Sequence, residues 1–258
     1  MSPPLGQSSV AAAPNRHLLE TTGLSVSFDG FKAVDDLSFY VNKGEVRAII
    51  GPNGAGKTTL LDLITGKTQP TKGHVRFKDL QLTGMREYQI VRAGVGRKFQ
   101  TPSVYESLTV FENLEMAFPD NRTSWAAWRF RRTPDVIAKV EEIAELIYLR
   151  DRLRDRAEIL GHGQKQWLEI GALLIQNPEL LLLDEPVAGM SARERESTGK
   201  LLLEIALNRA VVVVEHDMDF VKQIAHRVTV LHQGKLLAEG SMDDVQKNPK
   251  VIEVYLGH

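Results

Sequence analysis

The sequence predicts an α/β fold: a mostly parallel sheet covered by helices, joined to an antiparallel β part and interrupted by an inserted helical subdomain. Three observations predict it. Short, nearly unbroken apolar runs at residues 46–50, 180–183 and 211–214 have the length and composition of strands buried on both faces. Helical segments alternate with them, which is the pattern of a parallel sheet with helices on its faces. From about residue 103 to 157 the patterning turns helical, with Val136, Val140, Ile143 and Ile147 on one face and Glu and Lys between them.

The elements follow in order. Residues 1–16, rich in Ser, Pro and Ala, read as a flexible tail; they lack the basic start and apolar core of a signal peptide. Residues 18–28 and 33–41 alternate as strands, the second entering a turn at Asn42-Lys43-Gly44. After the 46–50 strand comes a Gly-rich turn at 51–59, then a helix at 60–64 stopped by Gly66, and a strand at 74–77. The inserted subdomain is placed at about 103–165. A helix runs from after Gln164 to Ile175, where Asn177-Pro178 breaks it. Residues 228–231 and 236–238 form a hairpin around Gln233-Gly234, and 242–256 is helical. Residues 17–258 make one domain with its insertion.

Composition narrows the function classes. The chain has 258 residues, 43% hydrophobic and 25% charged, as expected of a globular protein rather than a disordered or fibrous one. A formal charge of −1 gives no global field for nucleic acid or anionic lipid. With no cysteine there is neither a disulfide framework nor a thiolate metal site. The apolar runs are far shorter than the roughly 20 residues that span a bilayer, so a cytoplasmic location is expected.

Two motifs carry chemistry. Gly51-Pro52-Asn53-Gly54-Ala55-Gly56-Lys57-Thr58 fits G-x-x-x-x-G-K-[ST] at every fixed position, after a buried strand and before a helix. Glycines let backbone N–H groups turn inward around a phosphate, and the following helix presents its positive end to it. Lys57 is expected on the β- and γ-phosphates and the Thr58 hydroxyl on Mg²⁺, with Thr59 completing the nucleotide-binding run. The run 180–183 ends in Asp184-Glu185, at the strand end where open α/β sheets bind ligands. Asp184 is expected to hold Mg²⁺ through water, and Glu185 to orient and deprotonate the attacking water.

With both motifs placed, the chain resembles the ABC-type ATPases from about residue 18 to its end. Leu160-Gly161-His162-Gly163-Gln164 stands at the position of the family signature, which by resemblance contacts the partner subunit's ATP. Gln100 falls where the family has its Gln loop, implying a catalytic and Mg²⁺-binding role. His216 falls at the switch histidine, and Phe28 where a ring stacks on adenine. The segments Gly96-Arg97-Lys98-Phe99-Gln100-Thr101-Pro102, Leu108-Thr109-Val110-Phe111-Glu112-Asn113 and Glu185-Pro186-Val187-Ala188-Gly189-Met190 are similar to importers of branched-chain amino acids and their relatives. Residues 162–171 are most similar to the ATP-binding subunit of urea-type importers.

The resemblance implies an ATP-hydrolysing importer subunit with ATP and Mg²⁺ as its only cofactors. It implies a second cassette subunit closing over two ATPs, transmembrane permease subunits, a periplasmic solute-binding protein reached indirectly, no nucleic acid, and a position on the inner face of the cell membrane. The alternatives are the ATPase of a lipopolysaccharide-type exporter and a soluble ABC ATPase; the absence of a basic stripe and of sustained heptads weighs against the latter. Two positions depart from the pattern: Gly161 where Ser is usual, and Ser191 where the loop after the catalytic Glu usually ends in Asp. Arg122, Arg129, Arg131 and Arg132 with Trp125 and Trp128 form a patch. It reads either as a contact for a membrane partner or, preferably, as a solvated face with two packed rings. Trp167 is expected to be packed, and the other histidines lack metal-ligand spacing.

Overall fold

The computed structural model describes residues 17–98, 104–119 and 132–256. The expected tail at 1–16, Gln100, and the patch residues Arg122, Trp125, Trp128, Arg129 and Arg131 lie outside the described residues. Two sheets organise the chain. The first comprises β1 (Leu19–Phe28), β2 (Phe31–Val41), β4 (Lys72–Phe77) and β5 (Leu80–Gln81), antiparallel in the order β2–β1–β4–β5. The second has the order β10–β9–β3–β8–β7–β6, from β3 (Val46–Ile50), β6 (Val95–Lys98), β7 (Leu180–Asp184), β8 (Ala210–Val214), β9 (Arg227–His232) and β10 (Lys235–Gly240). It is parallel except for the β9–β10 hairpin.

The central strands β3, β7 and β8 are buried at every position, which is why they read as continuous apolar runs. Helices cover them: α1 (Lys57–Ile64), α2 (Glu87–Ala93), α3 (Val110–Met116), α4 (Pro134–Leu146), α5 (His162–Ile175), α6 (Ala192–Ala206), α7 (Met218–Ile224), α8 (Met242–Lys247) and α9 (Pro249–Leu256). Between β6 and β7 the described chain is helical. There α3 and α4 pack on α5 so closely that a Cβ on Gly171 would stand 2.5 Å from Ile147 Cδ1 and 3.0 Å from Leu114 Cδ2.

Arg47 ties the two sheets together. Its side chain is fully buried on β3, donates to Glu45 at 2.9 Å and Thr229 at 3.1 Å, and pairs with Glu239 on β10 at 3.2 Å. The guanidinium also lies 5.8 Å and 5.2 Å from the ring centres of Phe39 and Tyr40 on β2.

Three expected boundaries move. The first helix starts at Lys57 rather than after Thr59, because two β-branched threonines with weak helix propensity form its first turn. The helix expected after Gln164 begins at His162, where Gly163 hides the helical pattern. The single C-terminal helix is two, divided at Asn248 by Pro249, which starts α9 because it cannot continue α8. The sequence reading passed over β5, β6, α2, α6 and α7. Trp167 is 8% exposed, donates to Thr198 Oγ1 at 2.8 Å and meets Tyr148 edge-on. Arg132 is held by both oxygens of Glu115 over the Phe111 ring.

Candidate functional site

The parallel register brings the motifs together. Ile49 of β3 is level with Val214 of β8, and Val214 is level with Asp184 of β7. The Gly-rich loop therefore leaves β3, Asp184-Glu185 leave β7, and Glu215-His216 leave β8 at one end of the sheet. They open a cleft of about 390 Å³, lined by Phe28, Phe31, Ala33, residues 53–59, Asp184, Glu185 and Val214. Such a volume suits a nucleotide-sized ligand.

The cradle is built by backbone that only glycine adopts easily. Gly56 precedes α1 at φ +98°, and a Cβ there would stand 2.4 Å from the Ala33 carbonyl oxygen. The Gln233-Gly234 turn, positive in φ at both residues, supports the loop from outside: Gly234 N–H donates to Ala55 O at 3.1 Å, and Asp35 N–H donates to Gly234 O at 2.9 Å. Lys57 Nζ donates to the carbonyls of Gly51 and Pro52, at 2.7 and 3.0 Å. Burial pulls the Lys57 pKa below the usual lysine range, opposed by the charges of Glu185 and Asp184. A half-buried cation beside a Gly-rich loop at the start of a helix suits a polyphosphate.

Thr58 Oγ1 donates to Asp184 Oδ2 at 3.2 Å. The other oxygen, Oδ1, is buried and has no hydrogen-bond partner among the described residues. Burial raises the Asp184 pKa, and the Thr58 bond opposes the rise. A hydroxyl beside a buried carboxylate with a spare oxygen is an oxygen donor set that fits Mg²⁺. Gln100, expected as a further ligand, lies outside the described residues.

Glu185 departs from the strand at φ +47°, a region that residues with side chains rarely occupy, while its N–H still donates to Val214 O at 2.9 Å. This kink turns it from the sheet line to the cleft wall, and strain of this kind is concentrated at functional sites. His216 Nδ1 stands 3.6 Å from Glu185 Oε1, with the imidazole exposed. Phe28 stands at the cleft mouth, 47% exposed, and Phe31 beside it is 64% exposed. Two aromatic residues thus line the cleft where the sequence pointed to one.

The residues expected to form the signature do not line this cleft. Gly161 caps α5 at φ −63°, and its N–H donates to Gln164 Oε1 at 3.0 Å. A Cβ on Gly161 would meet nothing nearer than 3.7 Å, so a larger side chain fits there. Gly163 is buried against Glu194, and His162 turns back onto its own chain, with Nε2 3.0 Å from Ala188 O. Ser191, the second departure, caps α6: its hydroxyl accepts from Glu194 N–H at 3.4 Å and donates to Glu194 Oε2 at 2.7 Å. Serine and aspartate are comparable N-caps, which is why the exchange leaves the helix start intact.

Sequence reasoning missed three charged residues behind the site. Arg97 on β6 donates to Asp62 Oδ1 at 2.5 Å and to Thr65 at 3.1 Å, both on or at the end of α1. Lys98, fully buried, lies 3.4 Å from Glu169 on α5, and its burial lowers its pKa against the pull of Glu169. Glu215 is 1% exposed and accepts N–H bonds from Val187 and His216. The signal for the Lys98 pair was present: Glu169 interrupts an apolar helix face between Leu168 and Ile170.

Comparison with known proteins places these features in a family. A family model described as "ABC transporter" matches residues 34–188, and one described as "Branched-chain amino acid ATP-binding cassette transporter" matches residues 235–258. The high-affinity branched-chain amino acid transport ATP-binding protein LivG of Salmonella typhimurium is 34% identical, covering 93% of this chain and 98% of its own. BraF of Pseudomonas aeruginosa, of the same description, is also 34% identical, over 94% and 99%. Among solved structures, the ADP conformation of MJ1267, an ATP-binding cassette of an ABC transporter, has a TM-score of 0.84 at 31% identity, covering 95% of this chain and 100% of that one. A nucleotide-free ATP-binding cassette from an ABC transporter gives 0.82 at 30%, covering 94% and 100%.

Proposed function

The chain belongs to the ATP-binding proteins of ABC transporters, among those of the branched-chain amino acid type, and from that premise we propose that it hydrolyses ATP to drive a solute importer. One observation carries this reading: the parallel register sets Lys57, Asp184 and Glu185 around one cleft with His216 beside Glu185. Phe28 and Phe31 stack on the base, and the loop N–H groups with Lys57 take the phosphates. Thr58 and Asp184 hold Mg²⁺, which screens the phosphate charge when bound. Glu185 orients the attacking water and takes its proton, and His216 stands where it senses the γ-phosphate. A second cassette closes the site with its signature. Permease subunits receive the work, and a periplasmic protein delivers the solute to them. Among the described residues no helix is long and apolar enough to cross a membrane; by the family reading, the permease subunits supply the transmembrane path and this chain works against their cytoplasmic side.

Urea or a short amide is the preferred solute, on the likeness of residues 162–171 to urea-type importers; a branched-chain amino acid is the second reading, favoured by the LivG and BraF relatives. The test is reconstitution in liposomes with its permease and solute-binding subunits, measuring uptake of radiolabelled urea and leucine. ATP-dependent urea uptake well above leucine uptake is expected. Leucine uptake alone overturns the amide assignment, and uptake of neither overturns the importer reading.

The Gly161 departure has a consequence for rate. The family's serine supplies a hydroxyl to the partner's γ-phosphate; here the backbone N–H groups at the start of α5 serve without it. A donor aimed at developing charge is often worth about 2–4 kcal/mol, and the retained backbone donors reduce that share. Since the position has room and ordinary backbone angles, Gly161→Ser is expected to fold normally and raise ATPase activity of the assembled transporter by roughly two- to tenfold. Steady-state phosphate release checks it; an unchanged rate shows that the backbone donors suffice.

A further inference from the structure

We propose that His162 and Glu215 are positioning residues that clamp the loop after Glu185 from its two sides and so link the signature to the switch histidine within one chain. The inference rests on the ATPase reading above for its consequences, but its geometry stands by itself. Val187 and Ala188 are consecutive. The N–H of Val187 donates to Glu215 Oε1 at 3.3 Å, and the carbonyl of Ala188 lies 3.0 Å from His162 Nε2. One short segment is therefore bonded at one end to the end of β8 and at the other to the start of α5.

Each contact is specific. Glu215 is 1% exposed, and its second oxygen, Oε2, accepts the His216 N–H at 3.1 Å. The same carboxylate thus sets the backbone of the switch histidine and the position of the loop. A buried carboxylate is retained at such a place only where several N–H groups satisfy it. On the other side, a carbonyl only accepts, so His162 must donate through Nε2–H, which it does in the neutral Nε2–H tautomer and in the protonated ring. The approach also depends on Gly189. Its φ is +73°, and a Cβ on it would stand 3.3 Å from two atoms of the His162 ring.

The consequence concerns timing. His216 belongs to the nucleotide held by this chain, whereas the signature belongs to the nucleotide held by its partner. A shift of His216 on phosphate loss pulls Glu215, then the Val187–Ala188 peptide, then His162 at the head of α5. The clamp gives the two nucleotide sites a bonded path through one chain.

Hydrogen exchange on the nucleotide-free full chain tests the geometry without any assumption about activity. Glu215→Ala is expected to speed exchange of the 187–190 amides roughly tenfold or more, and His162→Gly several-fold, as a local bond is lost. His162→Gln, whose amide also donates to a carbonyl, is expected to restore slow exchange. In the assembled transporter, each clamp-breaking variant is expected to lower kcat several-fold with KM for ATP changed less than about twofold. The double variant is expected to be no worse than the worse single one, since both act on one loop. Unchanged exchange in Glu215→Ala and His162→Gly overturns the clamp, and multiplicative losses of kcat overturn the link. A Lys57→Ala sample is the control for the ATPase reading: hydrolysis that survives it refutes that reading and leaves the exchange result standing.

Discussion

Glu185→Gln is expected to slow ATP hydrolysis by roughly a hundredfold or more, the usual contribution of a positioned general base, while nucleotide affinity stays near that of the wild type. The proposed phosphate site is the 51–59 loop and the start of α1 rather than Glu185, so binding is expected to survive. Glutamine has the same length and still fits at the kinked position of φ +47°, but its amide does not take a proton from water. Single-turnover phosphate release measures the loss, and release near the wild-type rate refutes the role given to Glu185.

Lys57→Ala is expected to act earlier, at binding. Lys57 Nζ is tethered to the carbonyls of Gly51 and Pro52 inside the cleft, so it is already held over the place of the phosphates. Hydrogen bonds to charged groups contribute about 1.5–3 kcal/mol, so ATP affinity should fall roughly ten- to hundredfold. Desolvation of Lys57 raises the worth of the pairing, because a cation removed from water gains more from an anion. Calorimetric titration with ATP checks it, and unchanged affinity places the phosphates elsewhere.

The parts of this site legible in the sequence share a cause: their chemistry is local. A Gly-rich loop between a buried strand and a helix marks a candidate phosphate cradle within eight residues, and an apolar run ending in Asp184-Glu185 announces a strand end with carboxylates. The parallel core was legible because β3, β7 and β8 are buried on both faces. What escaped was non-local. β6 carries Arg97 and Lys98, so its four residues read as polar, yet Lys98 is fully buried through Glu169, which lies 71 positions away by number (169 − 98). Glu215 reads as a solvated acid before His216, and its role emerges only when Val187 is brought beside it. His162 lies in the signature by position, but its ring bonds to the chain's own loop, a pairing that no spacing predicts. α6 was missed because its exposed face, rich in Arg and Glu, dilutes the apolar period.

In the proposed function, this chain's cleft is half of a site that a second cassette's signature completes. Sedimentation equilibrium of the Glu185→Gln chain with its partner cassette, or with a second copy of itself, tests it most directly. With Mg²⁺ and ATP a shift to a dimer holding one nucleotide per chain is expected, reversed when ADP replaces ATP, because in that reading only the γ-phosphate bridges cradle and signature. A chain that stays monomeric at saturating ATP, while wild-type protein hydrolyses at a rate independent of protein concentration, would contradict it.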